Sequence, residues 1–316
     1  MTRSRRVIVL LTIWMVSTNV PMFGWNGLGH MTVAYAAYEQ LTTKTKNRVS
    51  ALLRKNPDYG TWVKKVPAGT PAKFKRRMVF MIAATWPDQI KSEAGYTDDG
   101  TDNGNRPDGP PSSQNTGYGD HLHHKYWHFV DTPLTQDGTA LPAIPVPNAQ
   151  ERIALFRGVL ASTDPDPLKS YDLTWLLHLV GDVHQPLHSA TRVSSTQPDG
   201  DAGGNLVKIC NPGCSSELHA FWDDILGTSS DPNAAVTVGQ GLPTPDATSA
   251  GKSDAADWVT ESFEDAKSAV YAAPIAAGLG PFTITTPYKN AARTLAKKRV
   301  ALAGARLANM LNSELK

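Results

Sequence analysis

From Met31 to Leu53 apolar and polar residues alternate at helical spacing, which predicts one helix ending near Asn56-Pro57. Pro71 can open a second helix that carries Met78 to Ala84 and stops at Trp86-Pro87. Ala149 to Ala161 and Tyr171 to Val183 also read as helices, and Leu218 to Leu226 as a short one. Ala255 to Ala273 continues the pattern and should stop at Pro274. Tyr288 to Leu315 is a long alanine-rich helix whose Leu and Val residues suit one buried face. Between these lie segments without apolar periodicity. Glu93 to Tyr118, Asp199 to Pro212 and Asp231 to Ser249 are expected to be loops, and Pro142 to Pro147 a linker. The Asp residues of the first loop do not follow calcium-loop spacing, so a solvated loop is the expectation there. Strand signals are scarce and no repeat is visible. The chain is therefore expected to be mainly α: a single helical domain whose long loops carry parts of a site.

The start of the chain departs from this pattern. Arg3, Arg5 and Arg6 precede an apolar run from Val7 to Val16, and Pro21 follows. The run is short for a membrane span, so residues 1–24 are read as a secretory signal peptide rather than an anchor, leaving residues 25–316 as the working domain. Export, to the periplasm or the medium, and no stable membrane anchor are the expectations, with a monomer as the expected state. Removing the leader changes the charge argument. The nominal +2 of the chain becomes 28 basic against 29 acidic residues, so net charge does not argue for a nucleic-acid partner. Cys210 and Cys214 stand in CNPGC, and in an exported protein the simplest reading is a short disulfide. A metal pair is the other reading, but the second Cys pair of a zinc knuckle is missing.

The candidate chemistry is concentrated in His178-x3-Asp182-x5-His188 and His219-x3-Asp223. His and Asp four apart share one helix face, and here the surrounding residues are largely apolar. Such pairs are satisfied by each other or by a metal. Zinc accepts His nitrogen and Asp oxygen, and a hydrolytic site keeps a position open for water. His121, His123, His124 and His128 add a second histidine-rich stretch.

Taken with WNGLGH at Trp25 to His30, Trp86-Pro87-Asp88, and His128-Phe129-Val130-Asp131, these segments resemble the zinc-dependent S1/P1 nucleases, which share a fold with bacterial phospholipase C. The resemblance runs through nearly everything from Trp25 onward. It implies three zinc ions held by nine residues. Asp88, His128, His178 and Asp182 would hold one. Trp25, through its free amino group and carbonyl oxygen, would hold a second with His30 and Asp182, so that Asp182 bridges. His188, His219 and Asp223 would hold the third. The resemblance further implies cleavage of single-stranded DNA and RNA to 5′-phosphate products, with action on 3′-nucleotides as a further expectation. Asp88 would orient the attacking water and Lys91 would contact phosphate, where the commoner residue is Arg. Phe129 and Asp131 would stack on and hydrogen-bond a base. Asn205, in Gly203-Gly204-Asn205, matches a turn beside the site. His121, His123 and His124 have no match and are expected at the surface or behind the ligands, and His184 is expected to pack behind them. A phospholipase C-type phosphodiesterase is the alternative enzyme. Asp223, where that branch ends in glutamate, and the short step from Trp25 to His30 favour the nuclease branch. A closed, structural zinc protein is the non-enzymatic alternative.

Overall fold

The computed structural model describes residues 24–100 and 115–315. The apolar leader lies outside the described residues apart from Gly24, as do positions 101–114 of the loop expected from Glu93 to Tyr118.

Asn26 begins the first helix, α1 (Gly27–Gln40), by accepting from the Gly29 amide. The helix expected from Met31 to Leu53 is two helices. Leu41 turns extended, and the Thr42 hydroxyl caps α2 (Thr43–Leu53) by accepting from the Thr45 amide. A local cap thus overrides an apolar pattern that runs through the break. A short α3 (Tyr59–Lys64) follows, then α4 (Ala72–Ala83) entered from Pro71. Trp86-Pro87 does not end in a plain turn. Pro87 sits in the first turn of the one-turn α5 (Trp86–Gln89), where its missing N–H costs nothing.

Next come α6 (Ala149–Ala161), capped by Asn148, and α7 (Asp166–Asp182), which starts five residues before the expected Tyr171 because Pro167 can open it. From Lys169 to Asp182 every residue of α7 is buried, as expected of a helix surrounded by protein. It packs on α1, α2, α5, α6 and the long C-terminal helix α12 (Thr286–Glu314). Between them lie α8 (Leu218–Asp223), α9 (Pro232–Gln240), α10 (Ala247–Gly251) and α11 (Ala255–Asp265). The segment from Asp231 to Ser249, expected as loop, therefore holds most of two short helices, each started by an aspartate cap, Asp231 and Asp246. After α11 the helix widens into a π turn from Ala266 to Val270 and ends before the expected Ala273.

Strands are few and short. β1 (Pro133–Thr135) pairs in parallel with β2 (Thr191–Val193), with Leu134 opposite Arg192. β3 (Lys208–Cys210) lies between β4 (Ser216–Glu217) and β5 (Phe282–Thr283). Cys210 and Cys214 form a disulfide that closes the turn after β3. The architecture is mainly α, as expected. Trp25, Trp62, Trp86, Trp127, Trp175, Trp222 and Trp258 are all fully buried. Trp175 on α7 meets Trp86 and Trp127 edge-on at 6.0 and 5.1 Å, so the core around the middle of α7 is aromatic and stiff. That stiffness carries through to His178 and Asp182, one and two turns further on.

Candidate metal centre

Elements far apart in sequence deliver their His and Asp side chains to the C-terminal end of α7. His30 comes from α1, Asp88 from α5, and His128 from a single 3-10 turn at Lys125–His128. His178 and Asp182 project from one face of α7, and His188 from the 3-10 turn Pro186–Ser189. His219 and Asp223 repeat the four-residue spacing on α8. The seven other than Asp88 are at most 5% exposed, and Asp88 is 9% exposed.

Asp182 is the hub. Its Oδ2 lies 3.0 Å from His128 Nδ1 and 3.2 Å from His178 Nε2. Its Oδ1 lies 3.3 Å from His30 Nε2 and 3.8 Å from His188 Nδ1. Asp88 Oδ1 stands 3.6 Å from His178 Nε2, and its Oδ2 3.9 Å from His30 Nε2. Lys91 reaches back one helical turn and places its ammonium 2.9 Å from Asp88 Oδ1. On the far side His219 Nε2 lies 3.4 Å from Asp223 Oδ2, and Gln185 donates to Asp223 Oδ1 at 2.7 Å.

The donor chemistry tests whether a cation fits. His188 Nδ1 is 2.8 Å from the His128 carbonyl, and His219 Nδ1 is 2.7 Å from the Gly203 carbonyl. A carbonyl only accepts, so both Nδ1 atoms carry hydrogen and a neutral ring leaves a lone pair on each Nε2. Those two Nε2 atoms face each other at 3.1 Å. Two lone pairs at that distance do not bond, but both can bind one cation. His178 Nδ1 likewise donates to the Ala84 carbonyl at 2.8 Å and turns its Nε2 lone pair toward Asp182 Oδ2. His30 Nδ1 and Nε2, His128 Nε2 and Asp182 Oδ1 are buried without a hydrogen-bond partner. Among the described residues three groups, two of which share His178, have donor atoms within 4.8 Å of one another: His30, Asp88 and His178; His128, His178 and Asp182; and His188, His219 and Asp223. The residues fit metal ions.

At His128 and Asp88 the electrostatics agree. Burial lowers the His128 imidazole, with Lys91 adding to the effect, to about 3, so it is held neutral as a ligand requires. Burial opposes the charge on Asp88, but Lys91, His178, His128 and His30 outweigh it and hold the carboxyl at about 2. Burial pushes the Asp223 carboxyl well up despite the Gln185 bond. A cation beside Asp223 would remove that penalty.

Outer contacts fix the ligand directions. Asp201 is buried and accepts from the Gly204 amide at 3.1 Å, from the Arg192 amide at 2.9 Å, and from the Tyr271 hydroxyl at 3.0 Å. It thereby holds the Gly203 turn, whose carbonyl orients His219. Gly203 sits at φ 58, and a Cβ there would come within 2.6 Å of the Leu187 carbonyl, so only glycine fits comfortably. Asn205 closes the same turn by donating to the Ala202 carbonyl at 2.7 Å. His184 packs behind the site as expected. Its Nδ1 donates to the Val180 carbonyl at 2.7 Å, and Arg306 donates to its Nε2 at 2.9 Å.

Some expectations change. Phe129 is 1% exposed, and its carbonyl accepts from the Ala149 amide, so its ring presents no open face to a base. Asp131 is half-buried. His124 is not at the surface or behind the ligands. It is fully buried in its own acidic clamp, 2.6 Å from Asp99 and 2.8 Å from Asp120, and stacked on Trp127 at 3.5 Å. His123 pairs with Asp98 at 2.7 Å, and His121 is exposed. Gln185 and Asp201 escaped the sequence reading. Gln185 stood inside the HQPLH segment, and Asp201 is the buried acid two residues before the Gly-Gly turn. An open cleft of about 820 Å³ leads to the centre and has Asp88 and Asp223 in its lining.

The match to the family described as S1/P1 Nuclease covers residues 25–316. The chain belongs to the S1/P1 nuclease family. Among curated relatives, Nuclease S1 of Aspergillus oryzae (strain ATCC 42149 / RIB 40) is 25% identical over 206 residues, 64% of this chain and 54% of the relative. Nuclease P1 of Penicillium citrinum is 22% identical over 203 residues, 64% of this chain and 58% of the relative. Endonuclease 3 of Arabidopsis thaliana is 35% identical over 69 residues, 21% of each chain. The matched part of the chain thus spans about half the length of the fungal relatives.

Proposed function

We propose that this chain, once cut before Trp25, is an exported zinc-dependent nuclease. It would hydrolyse phosphodiester bonds of single-stranded DNA and RNA to 5′-phosphate products and act on 3′-nucleotides as well. The observation that carries the reading is the pair of Nε2 lone pairs of His188 and His219, 3.1 Å apart and beside a buried carboxylate, at one end of a cluster centred on Asp182. A metal bound by both lone pairs would stabilise this arrangement.

The proposed holders are Asp88, His128, His178 and Asp182 for one ion; Trp25, His30 and Asp182 for a second; and His188, His219 and Asp223 for a third. When bound, the metals supply positive charge at the phosphate and an activated water. Asp88, ionised and 2.9 Å from Lys91, would orient the attacking water. Lys91 meets a phosphate oxygen as a point charge, without the two-pronged fork of an arginine. The water oxygen bonds to phosphorus as the bond from phosphorus to the 3′ oxygen breaks. The proton that the water loses passes by way of solvent to the leaving 3′ oxygen, and the phosphate stays on the 5′ side. Asp131 is proposed to contact a base. Phe129 would stack on one only after the residues over it withdraw. Among the described residues no helix is long and apolar enough to cross a membrane. A monomer acting outside the cytoplasm is part of the proposal, and the disulfide of Cys210 and Cys214 supports the location.

The test is turnover by purified protein beginning at Trp25 on single-stranded DNA, RNA, a 3′-nucleotide and phosphatidylcholine, each with and without chelator. Chelator-sensitive cleavage of the nucleic acids is expected. Cleavage of the lipid alone would replace this reading with the phospholipase one.

A further inference from the structure

Asp182 closes α7, and His188 follows in a separate turn. The stretch between them sets where one stands relative to the other. Its carbonyls past the helix end need partners from elsewhere. The Val183 carbonyl accepts from the Ser262 hydroxyl at 2.5 Å, and the His184 carbonyl from Arg299 Nε at 3.3 Å. The His184 ring is held from both sides, by the Val180 carbonyl and by Arg306. Arg299 and Arg306 stand two turns apart on α12 and so share one face. Both are buried, at 5% and 1% exposure, so their donors must be met inside the protein. Arg299 donates to the Trp258 carbonyl at 3.3 Å, to the Ser262 hydroxyl, and to Glu261 Oε2 at 3.2 Å. Arg306 donates to the Ser249 carbonyl and to Glu261 Oε1, each at 2.9 Å. One carboxylate on α11 thus spans both guanidinium groups. Each arginine then commits a further donor to His184, between two proposed ligands.

We propose that Arg299 and Arg306 are positioning residues of the metal centre: they clamp the turn after α7 and thereby set His188 and Gln185 against Asp182. The inference rests on the metal reading above and deepens it. Asp182 is held by α7 itself, whereas His188 depends on the turn. Gln185 lies in the same turn and donates to Asp223. His188 and Asp223 belong to one group of donors, so the clamp serves the ion proposed for His188, His219 and Asp223. The ion proposed for Asp88, His128, His178 and Asp182 takes no ligand from the turn. The long C-terminal helix is thus a strut behind one ion, although it supplies no ligand.

The test compares wild type, Arg306→Met, Ser262→Ala and Leu307→Ala as zinc-loaded proteins beginning at Trp25. Competition with graded chelators reads the affinity of each ion, and thermal melting reads the fold. Leu307 is fully buried on α12 and its side chain donates no hydrogen bond, so Leu307→Ala lowers Tm without touching the clamp. Arg306→Met and Ser262→Ala should each weaken one ion about 10–100-fold and hold the others as wild type does. Leu307→Ala should hold every ion as wild type does. In a His219→Ala background, which lacks the ion in question, Arg306→Met should change no remaining affinity. If Arg306→Met does not fold, Ser262→Ala decides. Equal weakening of all ions, no weakening, the same selective loss in Leu307→Ala, or a further loss in the His219→Ala background overturns the clamp while leaving the metal reading in place. If wild type retains no zinc, the metal reading fails and the clamp falls with it.

Discussion

Gly24 is packed onto Asp182. A Cβ built on Gly24 would stand 1.7 Å from Asp182 Oδ1 and 3.2 Å from His188 Cε1. The residue before Trp25 therefore lies in the space between the hub carboxylate and a ligand of the neighbouring group. That space is where the metals are proposed to bind. Chain cleavage before Trp25 would both clear it and free an amino group beside Asp182.

It follows that protein retaining Gly24 should carry less metal than protein beginning at Trp25. Metal analysis of the two, dialysed side by side, checks this. Equal metal content in both would remove the N-terminal residue from the ligand set.

The two oxygens of Asp182 face different histidines, His128 and His178 on one side, His30 and His188 on the other. Asp182→Asn should therefore lose two ions. His219→Ala should lose only the one shared with His188 and Asp223. Metal counts on folded variants distinguish them, and the same loss in both would contradict a bridging carboxylate.

Asp201 touches no ligand directly, yet it holds the turn that orients His219. Asp201→Asn should weaken the ion at His188, His219 and Asp223 by about 10–100-fold while the others stay bound. Competition with a graded series of chelators reads this. Uniform weakening of all ions would mean that Asp201 supports the fold and not the ligand.

The His124 clamp gives a pH signature away from the metals. Burial disfavours its charge, but the hydrogen bonds it donates to Asp120 and Asp99 outweigh burial and raise its pKa above the ordinary 6.5. That share of stability is complete below 6.5 and is lost as pH rises through the raised value. Burial also opposes the charges of Asp99 and Asp120, yet their contacts lower both below the ordinary 3.8. Their share is complete above 3.8 and is lost as pH falls through the lowered values. His124→Gln should therefore cost most between pH 4 and 6.5, about 3 kcal/mol. The difference in Tm from wild type should shrink as pH rises further. A difference that grows with alkaline pH would show that His124 is not the charged partner.

Much of the centre was legible because helices impose spacing. His178 with Asp182 and His219 with Asp223 sit four apart, and a metal face needs that register. The helix start at Pro71 was legible from proline, whereas the helix read from Tyr171 begins at Asp166, a turn earlier than its apolar periodicity shows. The break at Leu41 was not, because one Thr42 hydroxyl bond decides it within an unbroken apolar pattern. The helices after Asp231 and Asp246 were hidden in small and polar residues, where only the caps gave a signal. Asp201 and His124 could not be placed, since their partners, Tyr271 for one and Asp99 and Asp120 for the other, meet them only in three dimensions.

The central claim is a three-zinc centre that cleaves single-stranded nucleic acid. Stepwise return of zinc to metal-free protein beginning at Trp25 tests it most directly, with cleavage of single-stranded DNA followed at each equivalent. Full activity is expected only as the third equivalent binds. Full activity at one equivalent, or in the metal-free protein, would contradict it.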